Sequence, residues 1–227
     1  MHSSRLLQIG AACAILFAAT AASSAQLRAD FTDGTSGWQG IVGSDGTGTV
    51  IGPAVGVPAP ALHSTLFNTG IEFSNTDAAW LDVVRTASRF EFGLGALATH
   101  ITGVESGERT RPLILEIRTH MLTSGTEPFS SVWTTLGVLD PLHPKWRRMV
   151  AQMPDTRAAD IPDGWSGSGA EDPATGKTIL PPGVTFADVM ANADEIVVTT
   201  LQPGYIYDFS YFDVTLDQIT LRYPKTK

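Results

Sequence analysis

Cysteine is nearly absent from this chain. Cys13 is the only one in 227 residues and lies in the N-terminal apolar run, so disulfides cannot staple the fold. Basic clusters are missing too. Fifteen Lys and Arg stand against 23 Asp and Glu, for a net charge of −8. No stretch offers a phosphate-tracking surface, which argues against nucleic acid as a partner; the acidic balance serves solubility first. Long apolar runs are also lacking. The longest, Ile9 to Ala22, covers about 14 residues, short of the about 20 a membrane helix needs, so no membrane anchor is expected.

That short run instead sets a compartment. Arg5 supplies a positive start, and Ser23-Ser24-Ala25 places small side chains where a signal peptidase reads. A signal peptide over residues 1–25, cut after Ala25, is the expectation. Cys13 is not read as a lipoprotein site, because Gly10 stands where a bulky aliphatic is wanted. Residues 26–227 then form one domain, of a size common among all-β folds and large enough to bury a core without staples. A cysteine-free exported protein fits a bacterial periplasm or medium, hence secreted or periplasmic.

Strand signals dominate the rest. Between Ile41 and Pro60 the chain is rich in Gly, Pro, Val and Thr, with Asp45-Gly46 as a hairpin turn. Phe90, Phe92 and Leu94 alternate with Arg89 and Glu91. Leu113, Leu115, Ile117 and Met121 share one face, and Glu116, Arg118 and His120 the other. Val132–Leu139 and Trp146–Met153 read as two more strands across a turn with Pro141 and Pro144. Residues 154–182 are the longest irregular stretch, and loops of that length tend to be functional or mobile. Thr185, with Asp188 three residues on, starts a short helix. Strands resume at Glu195–Leu201 and close the chain. In that last strand Val214 and Leu216 are out of phase with Ile219 and Leu221. A one-residue slip turns side chains to the wrong face unless a bulge absorbs it, which puts a bulge at Asp217-Gln218. The opening Asp30–Trp38 reads as the strand that meets this closing one. The expected fold class is all-β: a two-sheet antiparallel jelly-roll sandwich with one short helix.

Several motifs in order, Phe31…Gly34…Gly37-Trp38, the strand pair around Trp146, the Thr185–Ala191 helix before Ile196 and the closing Leu216-Asp217-Gln218-Ile219, resemble the laminin B (laminin IV) type domain. They also resemble the wider galactose-binding-like jelly rolls of exported bacterial proteins, carbohydrate-binding modules among them. The resemblance implies a non-catalytic adhesive or glycan-binding role. Members often carry Asn where Gln218 stands, and the laminin version has disulfides that this chain lacks. The resemblance further implies a structural Ca²⁺ where first and last strands meet, with Asp217 and Asp30 or Asp33 as the matching carboxylates. Ca²⁺ takes six to eight oxygens, so loop carbonyls would complete the set. The plain alternative is that Asp217 accepts N–H groups at a bulge and Asp33 caps the Asp33-Gly34 turn.

Sugar binding needs exposed aromatic rings with polar groups beside them. Trp38, Trp80 and Trp146 sit among apolar residues and are expected in the core. Trp165, in Asp163-Gly164-Trp165-Ser166-Gly167-Ser168-Gly169, is the best candidate for an exposed binding ring, with a plug into the core as the alternative. Trp133 is a weaker candidate, and Glu116, Arg118 and His120 make a candidate groove floor. Enzyme signals are thin: no Gly-x-Ser-x-Gly elbow sits between strand and helix, and no two of His63, His100, His120 and His143 share zinc-ligand spacing on one element. A glycan-acting hydrolase or lyase using two of Glu72, Glu91 and Glu116 stays open, as does a purely structural surface or matrix protein. The reading that fits best is an exported binding module for a glycan or cell-surface polymer.

Overall fold

The computed structural model describes residues 24–41, 49–52, 59–123 and 128–225. The expected signal peptide, save its last two residues, and the Asp45-Gly46 turn lie outside these residues. In chain order the elements are β1 (Ser24–Ala29), β2 (Trp38–Gly40), β3 (Thr49–Gly52), β4 (Ala61–Asn68), β5 (Glu72–Asn75), α1 (Ala78–Thr86), β6 (Phe90–Gly103), β7 (Arg111–Thr119), β8 (Ser130–Leu139), β9 (Arg147–Met153), β10 (Ser166–Gly167), α2 (Phe186–Ala191), β11 (Glu195–Thr199) and β12 (Ser210–Pro224). They form an all-β sandwich of two antiparallel sheets. One sheet runs β3-β4-β12-β6-β9 with β1 also on β12; the other runs β10-β8-β7-β11-β5-β2. Apolar residues of both inner faces, Phe92, Leu94, Phe212 and Leu216 from the first sheet and Phe73, Leu113, Leu115 and Ile117 from the second, fill the space between.

The long β12 organises the first sheet. Its first half pairs with β4 up to Leu216, and its second half pairs with β1 from Ile219 onward. Between them the register against β6 shifts across Asp217–Thr220, and Gln218 takes a left-handed φ of 49°. The bulge turns Val214, Leu216, Ile219 and Leu221 all into the core, each fully buried. The phase slip in the sequence is therefore the point where β12 exchanges one neighbour for another.

The opening segment differs from expectation. β12 is met by β1, which lies upstream, whereas residues 30–37 form turns in which Phe31, Gly34, Ser36 and Gly37 all have positive φ. Those turns carry the chain to β2 in the opposite sheet, because Trp38 must reach that side to pack edge-on against Trp80 at 5.7 Å.

The helices number two among the described residues. α2 forms as expected, with reciprocal Thr185 and Asp188 bonds in a capping box. α1 is the addition. Asp77 caps it by accepting from the Ala79 N–H, and Trp80, Leu81, Val83 and Val84 form its buried stripe.

Candidate functional site

Three of the five expected ligand-binding residues come together on the outer face of the second sheet. β7 presents Glu116 and Arg118; cross-strand pairing sets Glu195 of β11 beside Arg118 and Trp133 of β8 beside Glu116. The Arg118 guanidinium donates to both Glu72 oxygens at 3.2 and 2.8 Å, to Glu116 Oε2 from Nε and Nη2 at 3.0 and 2.8 Å, and to Glu195 at 3.3 Å. Ser131 donates a short bond to the other Glu116 oxygen, and the Phe129 ring lies 4.7 Å from the guanidinium carbon. A planar fork with five donors suits this role, which a lysine could not fill.

The electrostatics follow from burial. Glu116 is 1% exposed, and removal from water pushes its carboxyl above the ordinary value, opposed by Arg118 and Ser131. Burial works against the Arg118 charge, but bonds to Glu72 and Glu116 outweigh it and hold the guanidinium well above its usual value. Three carboxylates face one guanidinium, so the cluster is acidic.

Above it opens a pocket of about 220 Å³ lined by Glu116, Arg118, Phe129, Ser168, Gln202 and Tyr205, among others. Tyr205 is 64% exposed and stands on the loop between β11 and β12. His120 lies at the edge, with its Nδ1 2.8 Å from Asp194 and its ring against Phe129. The Glu116 face is thus a covered, ion-paired floor rather than an open solvated surface. Met121 does not share the core face, because β7 stops at Thr119 and leaves it exposed.

The tryptophans correct the expectation more sharply. Trp165 is buried, 3% exposed: its ring packs edge-on against Phe186 of α2, and its Nε1–H donates to the Gln152 carbonyl at 3.0 Å. It is the core plug of its loop. The glycines after it serve a close backbone approach, since Gly167 and Gly169 bond to Thr178 and Ile179 and a Cβ on Gly167 would come within 2.5 Å of Ile179 main chain. Trp133 is also buried, with Nε1 donating to Gly167. Trp146, expected in the core, is only half-buried and lines a shallow recess with Gly95, Asp217 and Gln218.

The calcium carboxylates are engaged locally. Asp217 is fully buried and accepts from the Gln218 N–H at 2.6 Å. Asp30 accepts from Thr32, which holds its carboxyl below the ordinary value, and Asp33 sits exposed in the turn. Among the described residues no three His, Cys, Asp or Glu side chains assemble as a metal site, so a Ca²⁺ there would depend on backbone oxygens. Glu91 lies in the other sheet from Glu116, bonded to Gln152 and Arg222, which removes that carboxylate pair.

No family model matches the chain, the laminin type included, and no curated protein matches it. Solved structures do. It is similar to the K3 cleaved adhesin domain of Lys-gingipain from Porphyromonas gingivalis, at 12% identity and a TM-score of 0.42 over 88% of this chain and 99% of that one. It is also similar to a family 11 carbohydrate-binding module from Clostridium thermocellum in complex with a β-1,3-1,4-mixed-linked tetrasaccharide, at 12% identity and a TM-score of 0.42 over 86% and 94% of the two chains. An exo-β-agarase matches at 7% identity and a TM-score of 0.43, over 87% of this chain and 24% of its own.

Sequence reasoning missed Tyr205 and Phe129. Both stand in loops, where no periodicity marks the direction of a side chain. The usable signal was composition: Tyr205-Ile206-Tyr207 follows directly on the Pro203-Gly204 turn, and aromatic residues next to a turn at a sheet end are natural rim residues.

Proposed function

We propose that this protein is an exported, non-catalytic binding module for a glycan or cell-surface polymer, which it takes at the Arg118 pocket. The observation that carries this reading is an exposed Tyr205 ring at the rim of a pocket whose floor is polar and fixed. A sugar ring offers C–H faces to an aromatic and hydroxyls to polar groups, and this pocket supplies both, with the Gln202 amide and Ser168 hydroxyl at its wall. Its volume suits one sugar residue at a chain end or branch. The acidic floor favours a neutral or amino-bearing residue over a uronic acid. Arg118 holds the carboxylates by ion pairs, which suits a rigid floor better than a proton-transfer pair.

A glycan array with wild type and Tyr205→Ala tests this. The expected result is a loss of about tenfold in affinity, from one lost stacking contact and its apolar area. Equal binding by both proteins would sink the pocket. A hydrolase remains the second reading, favoured by the raised Glu116 carboxyl beside Glu72 and Glu195. Sugar release from a bound glycan, abolished by Glu116→Gln, would replace binding with catalysis.

A further inference from the structure

The outer face of the first sheet carries a second, separate arrangement. Along β12, Ser210, Phe212 and Val214 turn inward and Tyr211 and Asp213 turn outward. Register sets Phe67 of β4 and Thr102 of β6 on either side of Tyr211, and Thr65 and His100 on either side of Asp213. Phe67 meets Tyr211 at 4.6 Å and Phe209 at 5.3 Å, with ring planes only 32° and 31° apart. At those distances and tilts Phe67 stacks against both neighbours, so the cluster meets solvent through ring edges and the uncovered faces of Phe209 and Tyr211. Phe209 and Tyr211 remain 46% and 51% exposed, and a cleft of about 420 Å³ opens beside them between Phe67, Val104, Glu105, Asp208 and Phe209.

Scattered exposed apolar residues need no explanation, but adjoining ones do. The polar groups beside these rings narrow the choice of occupant. One strand repeat from Tyr211, roughly 7 Å along, His63 Nε2 lies 2.8 Å from Asp213 Oδ1 and 3.4 Å from the Thr65 hydroxyl. An acid, an imidazole and a hydroxyl side by side offer donors and acceptors at hydroxyl spacing. The carboxylates of Asp213, Glu105 and Asp208 give the face an acidic cast, which disfavours an anionic polymer.

We infer that this face is a platform for a neutral, hydroxyl-rich saccharide chain, separate from the Arg118 pocket. An open cleft walled by half-exposed rings suits the side of an extended chain, whereas the smaller pocket suits a single residue. The loop between β11 and β12 links the two, with Tyr205 at the pocket and Phe209 at the platform, four residues apart and so no more than about 14 Å along the backbone.

Affinity electrophoresis and calorimetry of the full chain against neutral polymers (mixed-linkage β-glucan, xyloglucan, galactan) and against polygalacturonate test it. Tyr205→Ala, which disables only the pocket, is expected to keep binding at least one neutral polymer. Adding Phe209→Ala and Tyr211→Ala is expected to weaken that binding at least tenfold, with the circular dichroism spectrum of the folded protein unchanged. Polygalacturonate is expected not to bind. In parallel, ring signals of Phe209 and Tyr211 in the wild-type NMR spectrum are expected to shift on titration, a readout that needs no variant. The inference is overturned if Tyr205→Ala binds no neutral polymer, if the ring signals stay still at saturation, or if the platform variant binds like its parent. It is equally overturned if the wild type forms a concentration-dependent dimer that the platform variant abolishes.

Discussion

A tryptophan in a loop of glycines and serines is held by whatever it packs on, and Trp165 packs on Phe186 and the Gln152 carbonyl. Its removal therefore acts on folding. Trp165→Ala is expected to cost about 3–5 kcal/mol through the cavity and the lost bond, read as a lower urea midpoint; an unchanged midpoint would contradict the burial described above. Glu116 makes a second residue-scale prediction. Its carboxyl is raised in the folded state by burial, with Arg118 opposing. A raised folded value means that its stabilising contribution is full below the ordinary carboxylate range and lost as pH rises through the folded value. The thermal midpoint of wild type relative to Glu116→Gln is thus expected to fall as pH rises from about 4 to 8, since the amide does not titrate. A rising difference would show the ion pair with Arg118 outweighing the desolvation.

At the scale of the element, β12 joins the two ends of the chain by changing partner at its bulge. Gln218 holds the left-handed conformation that makes the change possible. A β-branched residue there is strained by about 1–3 kcal/mol, and glycine is not. Gln218→Val is accordingly expected to lower stability by at least about 1 kcal/mol more than Gln218→Gly, measured by chemical denaturation. This bulge was legible because a phase slip of apolar residues within eight positions needs no knowledge of the rest of the chain. The α2 capping box was legible for the same reason. α1 carried comparable local marks, Asp77 ahead of a Trp80, Leu81, Val84 stripe, yet its nine residues sit in a chain dominated by strand patterns. The opening segment was misplaced because turn residues with positive φ look, in one dimension, like a kinked strand.

Across the whole molecule, the sandwich buries its inner faces and leaves two outer faces with different chemistry. One is an ion-paired pocket under a tyrosine rim, the other a half-exposed aromatic stack edged by an acid and an imidazole. A loop of a few residues joins them. Asp208 steadies that loop, accepting from the Glu105 and Ser106 N–H groups and from the fully buried Arg111. What the sequence by itself determined is the part governed by near neighbours: the all-β class, most strands, the α2 cap and the closing bulge, along with the absence of disulfides. Tertiary structure alone decided which aromatics face water and which charges leave it. Arg118 and Glu72 are 46 positions apart and His63 and Asp213 are 150 apart, so their meeting depends on sheet order, and sheet order is set by how the two faces pack.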